Sequence, residues 1–157
     1  MYFALMAKRT KSPPSPPLLD DLLCFLVHST GFAFNRIYRK PLERLGLTYP
    51  QYLVMVVLWA DDALTVGQIG ERLRLDSGTL TPLLKRLETM AIVSRERLRE
   101  DERRVVVKLT SKGRQLRDLT GDVMNCVTAA VGMDAEHVTS LMRQIRDLRE
   151  HLENAAA

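Results

Sequence analysis

Two thiols raise the first question of chemistry. Cys24 and Cys126 are the only cysteines of the 157-residue chain, and His28 follows Cys24 by four positions. On a helix that spacing puts both side chains on one face. There an imidazole can donate or accept a hydrogen bond and, when charged, favour a thiolate. The thiolate is the form that attacks a peroxide. The segment "DLLCFLVHST" (20–29) also holds Leu22, Leu23, Phe25, Leu26 and Val27. An apolar wall of that kind suits a bulky apolar hydroperoxide, and it equally suits a cysteine that only packs. Two cysteines are too few for a secreted disulfide framework and lack the spacing of a zinc site, so no metal or cofactor is expected.

The elements that must position these thiols belong to a chain that is 46% hydrophobic and 27% charged, the balance of a soluble globular domain with a real core. No apolar run is long enough to span a bilayer. In "MYFALMAKRTK" the apolar piece precedes the basic one, the reverse of a signal peptide, so the expectation is a cytoplasmic protein with no membrane partner. The net charge of +4 permits a nucleic-acid partner without requiring one.

Residues 1–17, with the proline-rich "AKRTKSPPSPP", read as a flexible arm. Pro17 suits a helix start, and a helical pattern runs to about Leu45 with a bend near Gly31. Gly46 suits its end, and Thr48 or Tyr49 precedes a new helix opened by Pro50. "PQYLVMVVLWA" predicts a buried helix, with a strand as the alternative. Two short helices follow. The first has Val66, Ile69 and Leu73 at helical spacing with Thr65 as cap. In the second, Asp76 or Ser77 caps a helix whose Leu80, Leu83, Leu84 and Leu87 form one apolar stripe. Then the period becomes alternating over Ile92–Leu98 and Arg104–Thr110, around a charged centre: a β-hairpin. From Ser111 the pattern is helical again, ending in a long helix capped by Asp134. This is the order of a helix-turn-helix followed by a wing.

With its leucines buried, the second short helix presents Ser77, Gly78, Thr79, Thr81, Pro82, Lys85 and Arg86 outward. Small hydroxyl residues let a helix approach base edges, and lysine or arginine reaches guanine or phosphate. The helix N-terminus offers further donors to a phosphate. Pro82 conflicts with a helix interior unless the helix starts late or bends. In the hairpin, Arg95, Arg97 and Arg99 alternate on one face, and Arg103 and Arg104 return on the second strand. Glu96, Glu100, Asp101 and Glu102 nearly balance them, so carboxylates must hold some of these arginines. A salt-bridged polar hairpin beside an ordinary helix pair is the bland alternative.

The helix pair, the amphipathic helix after it and "DERRVVVKLTSKG" resemble the MarR-type winged-helix transcription factors. Asp101 and Arg103 correspond to the D-x-R of that family's wing, and Leu109, Thr110 and Gly113 to its LT-x-x-G ending. The resemblance covers residues 18–155 and implies an α+β, mostly helical winged helix-turn-helix protein. It implies an intertwined homodimer with dimerisation helices from both termini (18–47 and 111–155) around a DNA-binding region at 48–110. The partner would be double-stranded DNA bearing a pseudo-palindromic operator with half-sites about one helical turn apart. Ser77, Thr79, Thr81, Lys85, Arg86, Arg97, Arg103 and Arg104 would contact it, and Asp101 would support the wing.

Within that family, "LCFLVHSTGFAFNRIYRKPLERLGLTYPQYLVMVVLW" is similar to the OhrR-type sensors of organic hydroperoxides. The resemblance makes Cys24 the peroxide-reactive residue and Tyr38 and Tyr49 its hydrogen-bond donors across the dimer interface. His28 stands where members of the branch can carry a tyrosine, and is assigned to support of the thiolate. Cys126 in "GDVMNCVTAA" matches the two-cysteine form, in which it resolves a sulfenic acid of the other subunit as a disulfide. The expected function is therefore a non-enzymatic repressor that releases DNA when an organic hydroperoxide, its inducer, oxidises Cys24. Three alternatives stand beside it. One is a MarR-type repressor binding a small aromatic ligand, with both cysteines incidental. A thiol peroxidase is another, although no C-x-x-C and no thioredoxin-like alternation supports it. A DNA-compacting protein, indifferent to sequence, is the third.

Overall fold

The computed structural model describes residues 18–97 and 104–156, so the N-terminal arm and residues 98–103 lie outside the described residues. The chain divides into two compact units, residues 1–33 and 34–157.

In the first unit a single 3-10 turn, Leu19–Asp21, precedes helix α1, Leu23–Glu43, which continues into the second unit. The helix starts six residues later than Pro17 suggests, because Leu22 is extended (φ −89°, ψ 112°). It also runs unbroken through Gly31, where a bend is expected, and through Pro41. Leu18, Leu19, Leu23, Leu26, Val27 and Phe32 are all exposed.

The second unit starts inside α1. The chain leaves that helix through Gly46, whose φ of +68° is the left-handed conformation its position requires. Helix α2, Tyr49–Ala60, follows; the Thr48 amide donates to Gln51 Oε1 at 2.9 Å, tying its first turn. The apolar run is a helix and not a strand. Leu64–Thr65 forms a two-residue strand, β1, that the alternation did not reveal because it is too short to show a period. Thr65 then caps α3, Val66–Leu73, its hydroxyl accepting from the Gln68 amide at 3.2 Å. Asp76 caps α4, Ser77–Thr89. This helix begins where the cap predicts and continues through Pro82, so the helix neither starts late nor stops there. It ends on Ala91 at φ +55°, a left-handed residue with no glycine to announce it.

Strands β2, Val93–Arg97, and β3, Val105–Leu109, are the antiparallel wing, with Val93 opposite Leu109 and Arg97 opposite Val105. Ile92, Arg104 and Thr110 fall just outside the strands. β1 pairs with the other edge of β3, giving the order β1-β3-β2. After the wing come α5 (Ser111–Gln115), a 3-10 segment (Leu116–Leu119), α6 (Gly121–Val131) and α7 (Ala135–Ala156). Asp134 caps α7 as expected, its Oδ1 accepting from the His137 amide at 2.8 Å.

The main core draws on residues 47–109: Val54, Met55 and Leu58 of α2, Ile69 of α3, Leu80, Leu84 and Leu87 of α4, and Ile92, Val93 and Val107 of the wing. The LT-x-x-G ending has a local physical role. The Thr110 hydroxyl donates to the Ala91 and Ile92 carbonyls and accepts from the Gly113 amide. Gly113 lies against the chain so closely that a Cβ there would stand 2.2 Å from the Ile92 carbonyl oxygen. Its own carbonyl accepts from Trp59 Nε1 at 2.8 Å. Asp62 adds a second fastening. Its Oδ1 accepts from the Leu109 and Ala63 amides, both at 2.8 Å, and its Oδ2 pairs with Arg114. These contacts hold β3 and α5 against the end of α2.

Candidate DNA interface and thiol sites

On α4 the residues expected to face DNA are placed outward. Ser77, Thr79, Pro82, Lys85 and Arg86 are exposed and Thr81 is half-buried, while Leu80, Leu84 and Leu87 are sealed in the core and Leu83 packs against it partly buried. Two hydroxyls are already engaged. Thr79 Oγ1 donates to Asp76 Oδ2 at 2.8 Å, and Thr81 Oγ1 donates to the Ser77 carbonyl at 2.6 Å. With their protons used inside the helix, these oxygens are left as acceptors, suited to the amino groups of adenine or cytosine. The helix N-terminus, expected to take a phosphate, is filled by the Asp76 carboxylate. Its Oδ1 accepts from the Thr79 amide at 2.9 Å. That bond, with the one from the Thr79 hydroxyl, holds the carboxyl below its usual range, so the cap is anionic and repels a phosphate at that point. Lys85 and Arg86 are the exposed cations of α4.

The wing divides its arginines. Arg95 is held by Glu88 of α4, with Nη2 at 2.7 Å and Nε at 2.8 Å from the same carboxylate oxygen. Lys108 and Glu96 pair across the strands at 2.6 Å. Arg97 and Arg104 are exposed. Arg103 and Asp101 lie outside the described residues. The sequence required some carboxylate-held arginines but not which; Glu88, seven residues before Arg95, carried no local signal.

In the unit of residues 1–33, Cys24 is a free, exposed thiol in the first turn of α1. His28 lies edge-on to Phe32, with ring centroids 4.5 Å apart at 78°. Among the described residues no hydrogen bond joins His28 to Cys24.

In the unit of residues 34–157, Tyr38 and Tyr49 come together with centroids 4.5 Å apart. Tyr52, one turn along α2 from Tyr49, extends the group at 5.8 Å from Tyr38 and 6.0 Å from Trp59. Burial raises the pKa of all three phenols, and that of Tyr38 is raised further by Tyr49 and Tyr52. They therefore stay protonated and able to donate near neutral pH. Sequence reasoning passed over Tyr52, although its i+3 spacing from Tyr49 was a usable signal. It is 5% exposed and donates its hydroxyl to Met124 Sδ at 3.7 Å. It packs with Leu42 and Val123 into a second core cluster that also touches Tyr38 and Tyr49. Val123 and Met124 sit on α6 beside Cys126, which is free and exposed. The structure thus brings the tyrosine pair and the helix of Cys126 onto one packed group.

Residues 36–119 match the family described as "Transcriptional regulator SarA/Rot". The chain belongs to the SarA/Rot family of winged-helix, MarR-like transcriptional regulators. It is 47% identical over 137 residues to the HTH-type transcriptional regulator TtmR of Methylorubrum extorquens, covering 87% of this chain and 70% of that protein. It is 38% identical over 134 residues to the organic hydroperoxide resistance transcriptional regulator of Bacillus subtilis, covering 85% and 91%. Among solved structures, AbfR of Staphylococcus epidermidis is similar. Its reduced, DNA-bound form superposes with a TM-score of 0.72 at 34% identity over 85% of this chain and 94% of AbfR. The overoxidised form on DNA gives 0.71 and the form with its disulfide made gives 0.60. The family thus accounts for the helix pair and wing, and its known members regulate transcription. No helix among the described residues is long and apolar enough to cross a membrane.

Proposed function

We propose that this regulator is a repressor that binds a pseudo-palindromic operator as a homodimer and releases it when an organic hydroperoxide oxidises Cys24. The observation that carries the reading is the pair of free, exposed thiols, one on α1 and one on α6, in a chain related to a hydroperoxide resistance regulator. The Cys24 thiolate attacks the peroxide O–O bond, forming a sulfenic acid and releasing the alcohol. The Cys126 thiolate of the partner subunit then attacks that sulfur, forming a disulfide and expelling hydroxide. Across the dimer interface, Tyr38 and Tyr49 of one subunit act as donors to the Cys24 sulfur of the other, and His28 supports the thiolate. AbfR has been captured on DNA both reduced and overoxidised, and separately with its disulfide formed. That supports a reading in which the covalent link, more than thiol oxidation itself, changes DNA binding. A disulfide needs Cα atoms within about 7 Å. Emptying a nearly full operator takes about 5.5 kcal/mol of differential affinity, which a covalent constraint on the dimer can supply.

The homodimer is supported by apolar surface with no partner in the single chain. α7 has no buried residue, and Leu141, Ile145, Leu148 and Leu152 recur along it at coiled-coil spacing. On DNA, Ser77, Thr79, Thr81, Lys85 and Arg86 read the major groove, while Arg97, Arg103 and Arg104, braced by Asp101, carry the wing to the backbone.

The test treats reduced protein with one equivalent of cumene hydroperoxide and records its denatured, unreduced mass beside Cys24→Ser and Cys126→Ser variants, with operator binding measured in parallel. A covalent dimer in wild type, absent from both variants and coincident with DNA release, is the expected result. An inert Cys24 overturns the redox reading and favours a non-covalent aromatic inducer.

A further inference from the structure

A cavity of about 530 Å³ opens between the end of α1 and the 3-10 segment leading into α6, and Cys126 is part of its wall. The volume is that of ordinary small-molecule sites. Four charged residues share the lining: Lys40 on α1 and Arg44 just past its end, with Asp118 from the 3-10 segment and Asp122 from the first turn of α6. None of the four is in an ion pair among the described residues, although ion pairs are frequent elsewhere in the chain. Two cations and two anions in the lining of one cavity favour a ligand that carries both signs over a purely anionic or purely cationic one. They suit a zwitterion, whose carboxylates meet Lys40 and Arg44 and whose ammonium meets the aspartates. Leu119 adds an apolar stretch to the wall.

We propose that this cavity docks a low-molecular-weight thiol bearing both α-amino and carboxylate groups, and delivers its sulfur to Cys126. The inference rests on the reading of Cys126 as the resolving thiol, and it supplies the route by which the switch is reset. The thiolate of the docked molecule attacks Sγ of Cys126. The bond to Cys24 of the partner subunit breaks, and its electron pair leaves with the Cys24 sulfur, regenerating that thiolate. A second molecule attacks the sulfur of the first, releasing the Cys126 thiolate and a small-molecule disulfide. One protein disulfide is reduced and two thiols are oxidised.

The reverse half of this exchange tests the site without peroxide. Full-length Cys24→Ser protein, in which the intersubunit disulfide cannot form, is mixed with glutathione disulfide or with hydroxyethyl disulfide, which lacks both charged groups. Intact mass follows the mixed disulfide on Cys126. The expected result is a rate ratio favouring glutathione disulfide that falls about tenfold in Lys40→Ala/Arg44→Ala. The same ratio should be unchanged in Arg146→Ala/Arg149→Ala, which removes equal charge from α7. Circular dichroism confirms that each variant is folded. A ratio that is the same in all three proteins, or that falls equally in both charge variants, overturns the proposal. Failure of the redox reading is scored separately, as a missing covalent dimer in peroxide-treated wild type.

Discussion

The winged helix and the last helix of the chain are built on opposite terms. The core of residues 47–109 closes on itself, with Val54, Met55, Ile69, Leu80, Leu84, Leu87 and Val107 fully buried within one chain. α7 is longer than any helix in that core and buries nothing. The first region buries its apolar side chains within one chain; the second leaves Leu141, Ile145 and Leu152 exposed in the single chain. The thiols divide the same way. Neither lies in the self-contained core; Cys24 sits beside the exposed Leu23 and Leu26 on α1, and Cys126 shares α6 with the exposed Met124. Under the function proposed above, oxidation at these positions alters how two copies fit without unfolding the winged helix.

The largest effect expected from this contrast is in the core. Leu84→Ala removes a fully buried side chain and should cost about 4 kcal/mol. Thermal unfolding followed by circular dichroism should show a fall of about 10 °C, independent of protein concentration. The matching change on α7, Leu141→Ala with Ile145→Ala, removes two exposed apolar side chains. It should weaken self-association by about 3 kcal/mol, read by analytical ultracentrifugation, and lower the melting temperature by an amount that shrinks as protein concentration rises. If the pair instead lowers stability like Leu84→Ala at every concentration, α7 packs within its own chain and the contrast fails.

Much of the closed region was legible because its signals are local and periodic. The leucines of α4, the Thr65 cap and the alternation of the wing each declare themselves within a dozen residues. The misses have physical reasons too. β1 is two residues long, below any period. α4 ends on a left-handed alanine, a conformation that tertiary contacts impose against the residue's own preference. The late start of α1 reflects Leu22, whose type gives no warning of extended backbone. At the start of α4, where the sequence offers amides to a phosphate, the Asp76 carboxylate, recognised as a cap, takes the Thr79 amide. At the thiol sites the sequence supplied the residues and the family resemblance supplied their roles. The cavity at Cys126 was illegible, since Lys40, Arg44, Asp118 and Asp122 are brought together only by the fold.

Asp62 gives an intermediate effect with a definite pH dependence. Burial alone raises its pKa, but the Leu109 and Ala63 amides and the Arg114 guanidinium outweigh that and hold the carboxyl below its ordinary value of 3.8. Because the folded-state pKa lies below the unfolded one, its contribution is fully present above about pH 4 and is lost as pH falls through the folded value. Asp62→Asn should cost about 2 kcal/mol at pH 7, measured by urea unfolding, and the gap from wild type should close below about pH 3.8. A gap that persists undiminished into acid would mean that the charge of the Asp62 carboxylate is not what fastens the wing.

The smallest effect belongs to the ion pair between the reading helix and the wing. The side chains of Arg95 and Glu88 are 24% and 38% exposed, so solvent screens their attraction and the pair should contribute no more than about 1 kcal/mol to stability. Its larger consequence lies in what Arg95 is kept from doing. A guanidinium with both a terminal and an ε nitrogen on Glu88 meets a phosphate only through its remaining N–H donors and with its charge partly neutralised. Glu88→Gln removes that hold and also takes a negative charge away from the DNA-facing side. Operator binding should then tighten modestly at low salt, and the dependence of log affinity on log salt should steepen by up to about one unit. Fluorescence anisotropy titrations across a salt series measure both quantities. A steeper slope with nearly unchanged stability makes Glu88 a restraint on Arg95. An unchanged slope with a loss of stability beyond about 2 kcal/mol would show that the pair is a brace of the closed core.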